Sequence, residues 1–147
     1  MQDKIMSERE EPIITDTHRA MAAKVLHDLP FAKLIGMRLV DLQLDLAVIE
    51  IEMRDDLRHP GGILHGGVTA TLIDTAMAFA VRTRVGVTDS TATIDLTVHY
   101  LRPHIDGRFS CTAKVVRAGK RIFTVSADVH NENSDLIATA ISTYTRI

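Results

Sequence analysis

The amino-acid sequence predicts an α+β fold in which an antiparallel sheet is covered on one face by a long helix. Three observations carry this prediction. Residues 68–81 contain one charge in fourteen positions, which is typical of a helix buried on most sides. Segments on both sides of that helix alternate apolar and polar residues, as strands with one buried face do. Four predicted strands follow the helix consecutively, and this favours antiparallel pairing.

Length, composition and charge fit one globular domain. The chain has 147 residues, 46% of them hydrophobic and 24% charged, which is ordinary for a fold with a single core. We expect a mobile N-terminal tail at residues 1–14 and one domain at residues 15–147. The formal net charge of -2 lacks the basic excess with which nucleic-acid-binding proteins neutralise phosphates.

Cysteine content and the N-terminal residues predict the location of the protein. Cys111 is the only cysteine, so no intrachain disulfide can form, and this fits a reducing compartment. The stretch "MQDKIMSEREEP" is too charged for a signal peptide, and the apolar stretches are shorter than the roughly 20 residues that span a bilayer. We therefore expect a cytoplasmic protein with no nucleic-acid partner and no membrane partner.

The elements before the long helix are predicted from the spacing of apolar residues. In "TDTHRAMAAKVLHDL", Met21, Val25 and Leu29 recur every four residues behind Thr and Asp caps, which indicates an amphipathic helix. "PFAKLIG" then predicts a short turn that Gly36 closes from a left-handed conformation. From residue 37 the period becomes two, which predicts a strand with its hairpin partner.

The remaining predicted strands show the same alternation. A Pro/Gly-rich loop at residues 59–64 leads into the long helix, predicted from Gly66 or Gly67 to Arg82. The turns "RAGKR" and "NENSD" separate the last three strands, of which the final one runs to Tyr144. The apolar series are Ala47, Ile49, Ile51 and Met53; Ile94, Leu96, Val98 and Tyr100; Phe109, Cys111, Ala113 and Val115; and Phe123, Val125, Ala127 and Val129.

Asp74 is the single acid of the apolar helix, and a lone carboxylate is costly to bury. One interpretation is structural, with the acid satisfied by hydroxyls such as Thr71 or Thr75, or by a partner chain. The other is functional, because His65-Gly66-Gly67 precedes it and unpaired N–H groups at a helix start can stabilise an oxyanion. Glycine pairs also serve tight turns, and a histidine here can be a simple cap.

The stretches "LHGGVTATLIDTAMAFA", "TIDLTVHYLRP" and "RAGKR" resemble hotdog-fold acyl-CoA thioesterases of the phenylacetyl-CoA thioesterase type. The resemblance covers roughly residues 30–147. It implies an antiparallel sheet wrapped around a central helix, and hydrolysis of an acyl-CoA to the free acid and coenzyme A. No separate cofactor is implied, because coenzyme A is part of the substrate. Related proteins form homodimers with shared active sites, so we expect a dimer, assembled further as a dimer of dimers.

Carried over by position, the resemblance makes Asp74 the catalytic acid and places the Gly66 N–H on the thioester carbonyl. Gly67 would shape the turn, and Thr93 would orient the carboxylate or a water molecule. His65 would hold the loop through hydrogen bonds rather than transfer protons. Asp74 then acts either as general base or as nucleophile through a mixed anhydride, and the sequence does not choose between these routes.

Other candidate residues either depart from the family pattern or have a second interpretation. Similar enzymes often carry an amide residue where this chain has His59, and an imidazole there makes activity more sensitive to pH. His59 and His65 match no common zinc spacing, so we expect no metal. Four basic residues are candidates for binding the coenzyme A phosphates, and solvated surface residues are an equally supported interpretation of them: Arg102, Arg117, Lys120 and Arg121.

Two other functions remain open from the sequence. A hotdog hydratase or dehydratase would pair a histidine with the acid, and no histidine follows Asp74 within the predicted helix. An acyl-CoA-binding regulatory domain would keep the fold without turnover.

The spacing between Gly67 and Asp74 also bears on assembly. Asp74 lies roughly 10 Å beyond Gly67 along one helix, too far for both to serve one carbonyl. A second subunit could close that gap.

Overall fold

The computed structural model describes residues 10–86 and 89–147. Three helices are present in this part of the chain: α1 (Asp16–Asp28), α2 (Pro30–Ile35) and α3 (Gly66–Val85), with a 3-10 helix at Asp55–Leu57. The strands are β1 (Arg38–Gln43), β2 (Leu46–Glu52), β3 (Thr91–Tyr100), β4 (Arg108–Ala118), β5 (Ile122–Asn131) and β6 (Leu136–Arg146). The predicted order of helix, two strands, long helix and four strands is confirmed. α2 replaces the predicted short turn.

The six strands form one antiparallel sheet in the order β1-β2-β4-β5-β6-β3. α3 lies against its inner face and contacts every strand. The predicted α+β architecture, an antiparallel sheet wrapped around a long central helix, is confirmed. Because α3 carries the chain from β2 to the far side of the sheet, β3 becomes an edge strand, and β6 is its one neighbour among the described strands.

The core is built where the sequence predicts it. Leu72, Ile73 and Met77 of α3 are fully buried, and Ala47, Ile49 and Ile51 face them from β2. Cys111 is also buried, and burial raises the pKa of its thiol.

The predicted bounds need small corrections. α3 continues three residues past Arg82 and is closed by Gly86, whose φ of 89° is left-handed. Met53 lies just beyond the end of β2. Of the predicted tail, residues 1–9 lie outside the described residues, whereas Ile14 packs against the core.

The alternation predicted for β3 does not hold throughout the strand. Leu96 and Val98 are half-buried, but Ile94 and Tyr100 are 55% and 56% exposed. A β-bulge between Thr93 and Asp95 shifts the register against β6. Such a bulge places two residues of one strand opposite one residue of its partner and changes the direction of the side chains around it.

None of the described helices has the length and apolar character needed to cross a bilayer.

Candidate functional site

Asp74 lies half-buried in the middle of α3, where β3 and β6 meet the helix. Its Oδ1 accepts two hydrogen bonds, one from the Thr93 hydroxyl at 2.7 Å and one from the Tyr144 hydroxyl at 2.6 Å. Across residues 10–86 and 89–147, no group donates to Oδ2. One carboxylate oxygen is therefore occupied and the other is available.

The structural interpretation of Asp74 named the wrong hydroxyls. Thr71 donates to the Gly67 carbonyl at 2.8 Å, and Thr75 donates to the Thr71 carbonyl at 2.9 Å. Threonine side chains inside helices commonly bond to the carbonyl four residues earlier. Both are therefore occupied within α3, and the two hydroxyls that reach Asp74 come from the sheet.

Tyr144 is the residue of this cluster that sequence reasoning missed. Its side chain is 1% exposed, and its hydroxyl lies 2.7 Å from the Asp74 carbonyl oxygen as well as beside Oδ1. Burial raises the pKa of Tyr144, and the hydrogen bond to Asp74 raises it further, so the hydroxyl keeps its proton and donates. The signal in the sequence was a tyrosine at the end of the predicted final strand, because a phenol that becomes buried needs a polar partner.

The start of α3 leaves one backbone donor free. The helix begins at Gly66, and the N-cap residue His65 accepts from the Gly67 N–H through Nδ1 at 2.9 Å. The Tyr100 hydroxyl donates to the Gly66 carbonyl at 2.9 Å. The peptide between the two glycines is thus held at both ends. The Gly66 N–H has no acceptor among the described residues, as expected for the first N–H groups of a helix.

A ring lies close to each of the two glycines, so a side chain at either position would crowd its neighbour. A Cβ at Gly66 would lie 3.3 Å from the ring of Tyr100, and a Cβ at Gly67 would lie 3.0 Å from Nδ1 of His65. Neither glycine has a positive φ. The pair therefore provides space beside the helix start rather than an unusual backbone conformation.

The loop before α3 is held by side-chain and backbone contacts. His59 accepts from the Gly61 N–H through Nδ1 at 2.7 Å, which in the neutral ring leaves the proton on Nε2. The Arg58 guanidinium donates to the carbonyls of Gly62 and Ile105 at 2.8 and 2.5 Å. His59 and Gly66 line one cavity of about 360 Å³. No cluster of three His, Cys, Asp or Glu side chains that could bind a metal occurs in the described ranges.

The predicted site residues fall into two groups within one chain. Asp74 and Thr93 lie together, whereas His59, His65 and Gly66 lie at the start of α3. Asp74 follows Gly66 by eight residues, which is roughly 12 Å along the helix at 1.5 Å per residue. A thioester carbonyl bound at the Gly66 N–H is therefore out of reach of the carboxylate of the same chain.

The four basic candidates are also separated within one chain. Arg102 lines the cavity beside Gly66 and donates to the Leu136 carbonyl at 3.0 Å. Arg117, Lys120 and Arg121 are exposed around the β4–β5 turn. That turn lies near the first residue of β3, whereas Arg102 follows the last, and a ten-residue strand is roughly 30 Å long.

An antiparallel sheet wrapped around one long helix is the hotdog fold. A sequence model of the thioesterase superfamily matches residues 61–138. This match covers more than half of the chain, and the chain therefore belongs to the thioesterase superfamily and is a thioester hydrolase. The resemblance to thioesterases of the phenylacetic acid degradation type is likewise confirmed by the relatives described next.

Three relatives illustrate the similarity. The medium/long-chain acyl-CoA thioesterase YigI of Escherichia coli K12 is 30% identical over 137 residues, covering 81% of this chain and 86% of its own length. The conserved protein PA5202 of Pseudomonas aeruginosa has 29% identity and a TM-score of 0.81, covering 85% of this chain and 99% of its own. A mutant of the phenylacetic acid degradation protein PaaI of Thermus thermophilus has 29% identity and a TM-score of 0.74, covering 80% of this chain and 99% of its own.

Proposed function

We propose that the protein hydrolyses an acyl-CoA thioester to a free acid and coenzyme A, with Asp74 as general base or nucleophile. The observation that carries the proposal is the state of this carboxylate: Oδ1 accepts from Thr93 and Tyr144, and Oδ2 accepts from no described residue. An acid held by one oxygen is oriented and still has a free lone pair for chemistry. The acyl-CoA substrate is supported by YigI, which is an acyl-CoA thioesterase by name.

The chemistry needs only the groups that this chain provides. The thioester carbonyl is electrophilic, and the Gly66 N–H with the positive end of the α3 dipole stabilises the oxyanion that forms on attack. As general base, Asp74 takes a proton from the attacking water, and the coenzyme A thiolate leaves. As nucleophile, Asp74 forms a mixed anhydride while the thiolate leaves, and water then hydrolyses the anhydride. Coenzyme A is part of the substrate, so no further cofactor enters either route.

We further propose that each active site is shared by two chains. If two copies of α3 lie antiparallel across a two-fold axis, Asp74 of one chain approaches Gly66 of the other. Antiparallel contact of the two β3 edges would cover the exposed Ile94 and Tyr100. Assembly of two such dimers into a tetramer remains a prediction from the family resemblance.

The same arrangement provides a place for the coenzyme A phosphates. Antiparallel β3 strands put the first residue of one strand beside the last residue of the other. The hairpin of one chain, with Arg117, Lys120 and Arg121, would then approach Arg102 of the second chain. We propose this combined basic surface as the phosphate site, because guanidinium and ammonium groups pair well with phosphate.

We also propose a cytoplasmic location. Cys111 is the one cysteine of the sequence and is buried and free, and a chain without an intrachain disulfide fits a reducing compartment.

The catalytic role of Asp74 is tested by Asp74→Asn, which keeps the size of the side chain and removes its basicity. We expect kcat to fall at least ~100-fold, in the range of lost acid–base catalysis, with KM changed little. Release of the coenzyme A thiol is measured on aromatic, branched, medium-chain and long-chain acyl-CoA substrates, and this panel also identifies the acyl group. Asp56→Asn, at an acid that is 87% exposed, is the matched control. Wild-type kcat in folded Asp74→Asn would contradict the proposal.

A further inference from the structure

We infer that Tyr144 is a positioning residue that fixes Oδ1 of Asp74, together with Thr93, so that Oδ2 is the oxygen that reacts. This inference rests on the proposed function, because it takes Asp74 as the catalytic group. It adds a residue and a choice of atom that the thioesterase assignment does not contain.

The two donors reach Oδ1 because they are direct cross-strand neighbours. Thr93 of β3 pairs with Tyr144 of β6 in the antiparallel register. Residues directly opposite each other in such a pair have side chains on the same face of the sheet. Here that face is turned toward α3, and the β-bulge after Thr93 lies at this point of the strand. Both hydroxyls therefore approach Asp74 from the same side.

The pair of hydrogen bonds uses the acceptor capacity of one oxygen. A carboxylate has about four lone-pair sites, two on each oxygen, and Oδ1 accepts at 2.7 Å from Thr93 and at 2.6 Å from Tyr144. Oδ2 has no donor within the described part of the chain. The two oxygens, chemically equivalent in a free carboxylate, are therefore distinguished by the sheet.

Tyr144 is the more buried of the two donors. It is a residue of β6 with 1% exposure, whereas Thr93 lies exposed on the edge strand β3. The Tyr144 hydroxyl also lies 2.7 Å from the Asp74 carbonyl oxygen, but it has one proton to donate. The carboxylate is the stronger acceptor because hydrogen bonds to charged groups are stronger than those to neutral groups.

Loss of this contact would release the carboxylate. The terminal torsion of aspartate is broad and roughly two-fold, so a carboxylate without fixed donors exchanges its two oxygens and varies in orientation. Small displacements of a reacting group are costly, up to about 100-fold in rate for 1 Å. Tyr144 would thus affect turnover through the geometry of Asp74 without touching the substrate.

The experiment is Tyr144→Phe, which removes the hydroxyl and keeps the ring. We expect kcat to fall about 10-fold while KM stays within about two-fold, because substrate binding does not use this hydroxyl. In the Asp74→Asn background, assayed at high enzyme concentration, Tyr144→Phe should cause no further loss. If Tyr144 acts through Asp74, its hydroxyl has nothing to position once the carboxylate is gone. If Tyr144 is purely structural, Tyr144→Phe should lower kcat by the same factor with and without Asp74→Asn.

Ser142→Ala is the matched control. Ser142 is also on β6 with 1% exposure, and its hydroxyl donates to the Asp95 carbonyl rather than to Asp74. This variant should lose stability in thermal unfolding and keep the wild-type kcat. Thr93→Val, at an exposed strand position, provides a second variant that removes one donor to Oδ1, and its kcat should also fall with KM unchanged.

Four results would overturn the inference: wild-type kcat in Tyr144→Phe, wild-type kcat in Thr93→Val, equal losses of kcat in Tyr144→Phe and Ser142→Ala, or an equal effect of Tyr144→Phe on kcat with and without Asp74→Asn. A different result would contradict the proposed function. If Asp74→Asn keeps its turnover, the catalytic assignment is wrong. If Asp74→Asn is inactive and Tyr144→Phe is fully active, only the role of Tyr144 is wrong.

Discussion

At the scale of single residues, His59 holds the loop before α3 through one ring nitrogen. Its Nδ1 accepts from the Gly61 N–H at 2.7 Å, and a side chain without an acceptor would leave this backbone N–H without its partner. We expect His59→Ala to lower kcat/KM, because the loop lines the cavity beside Gly66, and His59→Asn to keep it, since an asparagine oxygen can accept from the N–H two residues on. The measurement is kcat/KM of both variants beside the wild type. Equal losses in the two variants would show that an acceptor at residue 59 does not support the site.

At the scale of elements, the end of α3 is fixed to the turn between β1 and β2. The Arg84 guanidinium donates to both carboxylate oxygens of Asp45, and the Thr83 hydroxyl accepts from the Asp45 N–H at 2.9 Å. The hydrogen bond to Asp45 raises the pKa of Arg84. These side chains are 22% and 30% exposed, so Arg84→Met would leave a half-buried acid without its partner. We expect the free energy of unfolding in urea to fall by about 2 kcal/mol.

The control for this pair is Lys24→Met. Lys24 is bonded to Asp28, the two side chains are 76% and 49% exposed, and exposed ion pairs contribute little to stability. Equal losses of unfolding free energy in the two variants would show that the contact between α3 and the turn adds nothing beyond an ordinary surface pair.

Elements were predictable where the pattern is local. The alternation of Ala47, Ile49 and Ile51 indicated the buried face of β2, and the glycines at residues 66 and 67 marked the start of α3 to within one residue. The partners of Asp74 were not predictable in this way. Thr93 and Tyr144 are 19 and 70 residues from the acid in sequence, and their convergence depends on the order of the strands and on a bulge. Neither feature leaves a periodic signal in the chain.

At the scale of the whole molecule, the incomplete site in one chain is the strongest reason to expect a dimer. The Gly66 N–H and Oδ2 of Asp74 have no partner among the described residues, and eight residues of helix, about 12 Å, separate them. The outer side of β3 has no neighbouring strand in the described part of the chain and carries exposed apolar side chains, and exposed edges are usually covered or paired. One antiparallel contact between two chains would bring Asp74 of one chain close to Gly66 of the other and would also cover the edge strand β3.

The shared site is tested by mixing two inactive variants, Asp74→Ala and Gly66→Pro. Proline removes the N–H at the first helical position, where it is tolerated, and His65 before it has a ψ of 128°, which suits a residue preceding proline. Gly66→Ala is the matched control, because it adds a Cβ beside Tyr100 and keeps the N–H. After random exchange of subunits about half of the dimers are mixed, each with one intact site and one doubly damaged site, so about a quarter of wild-type activity should return. Native mass spectrometry on chains with different tags establishes that mixed dimers form. If they form from folded chains, Gly66→Ala is active and the mixture stays inactive, then Asp74 and Gly66 do not act across two chains.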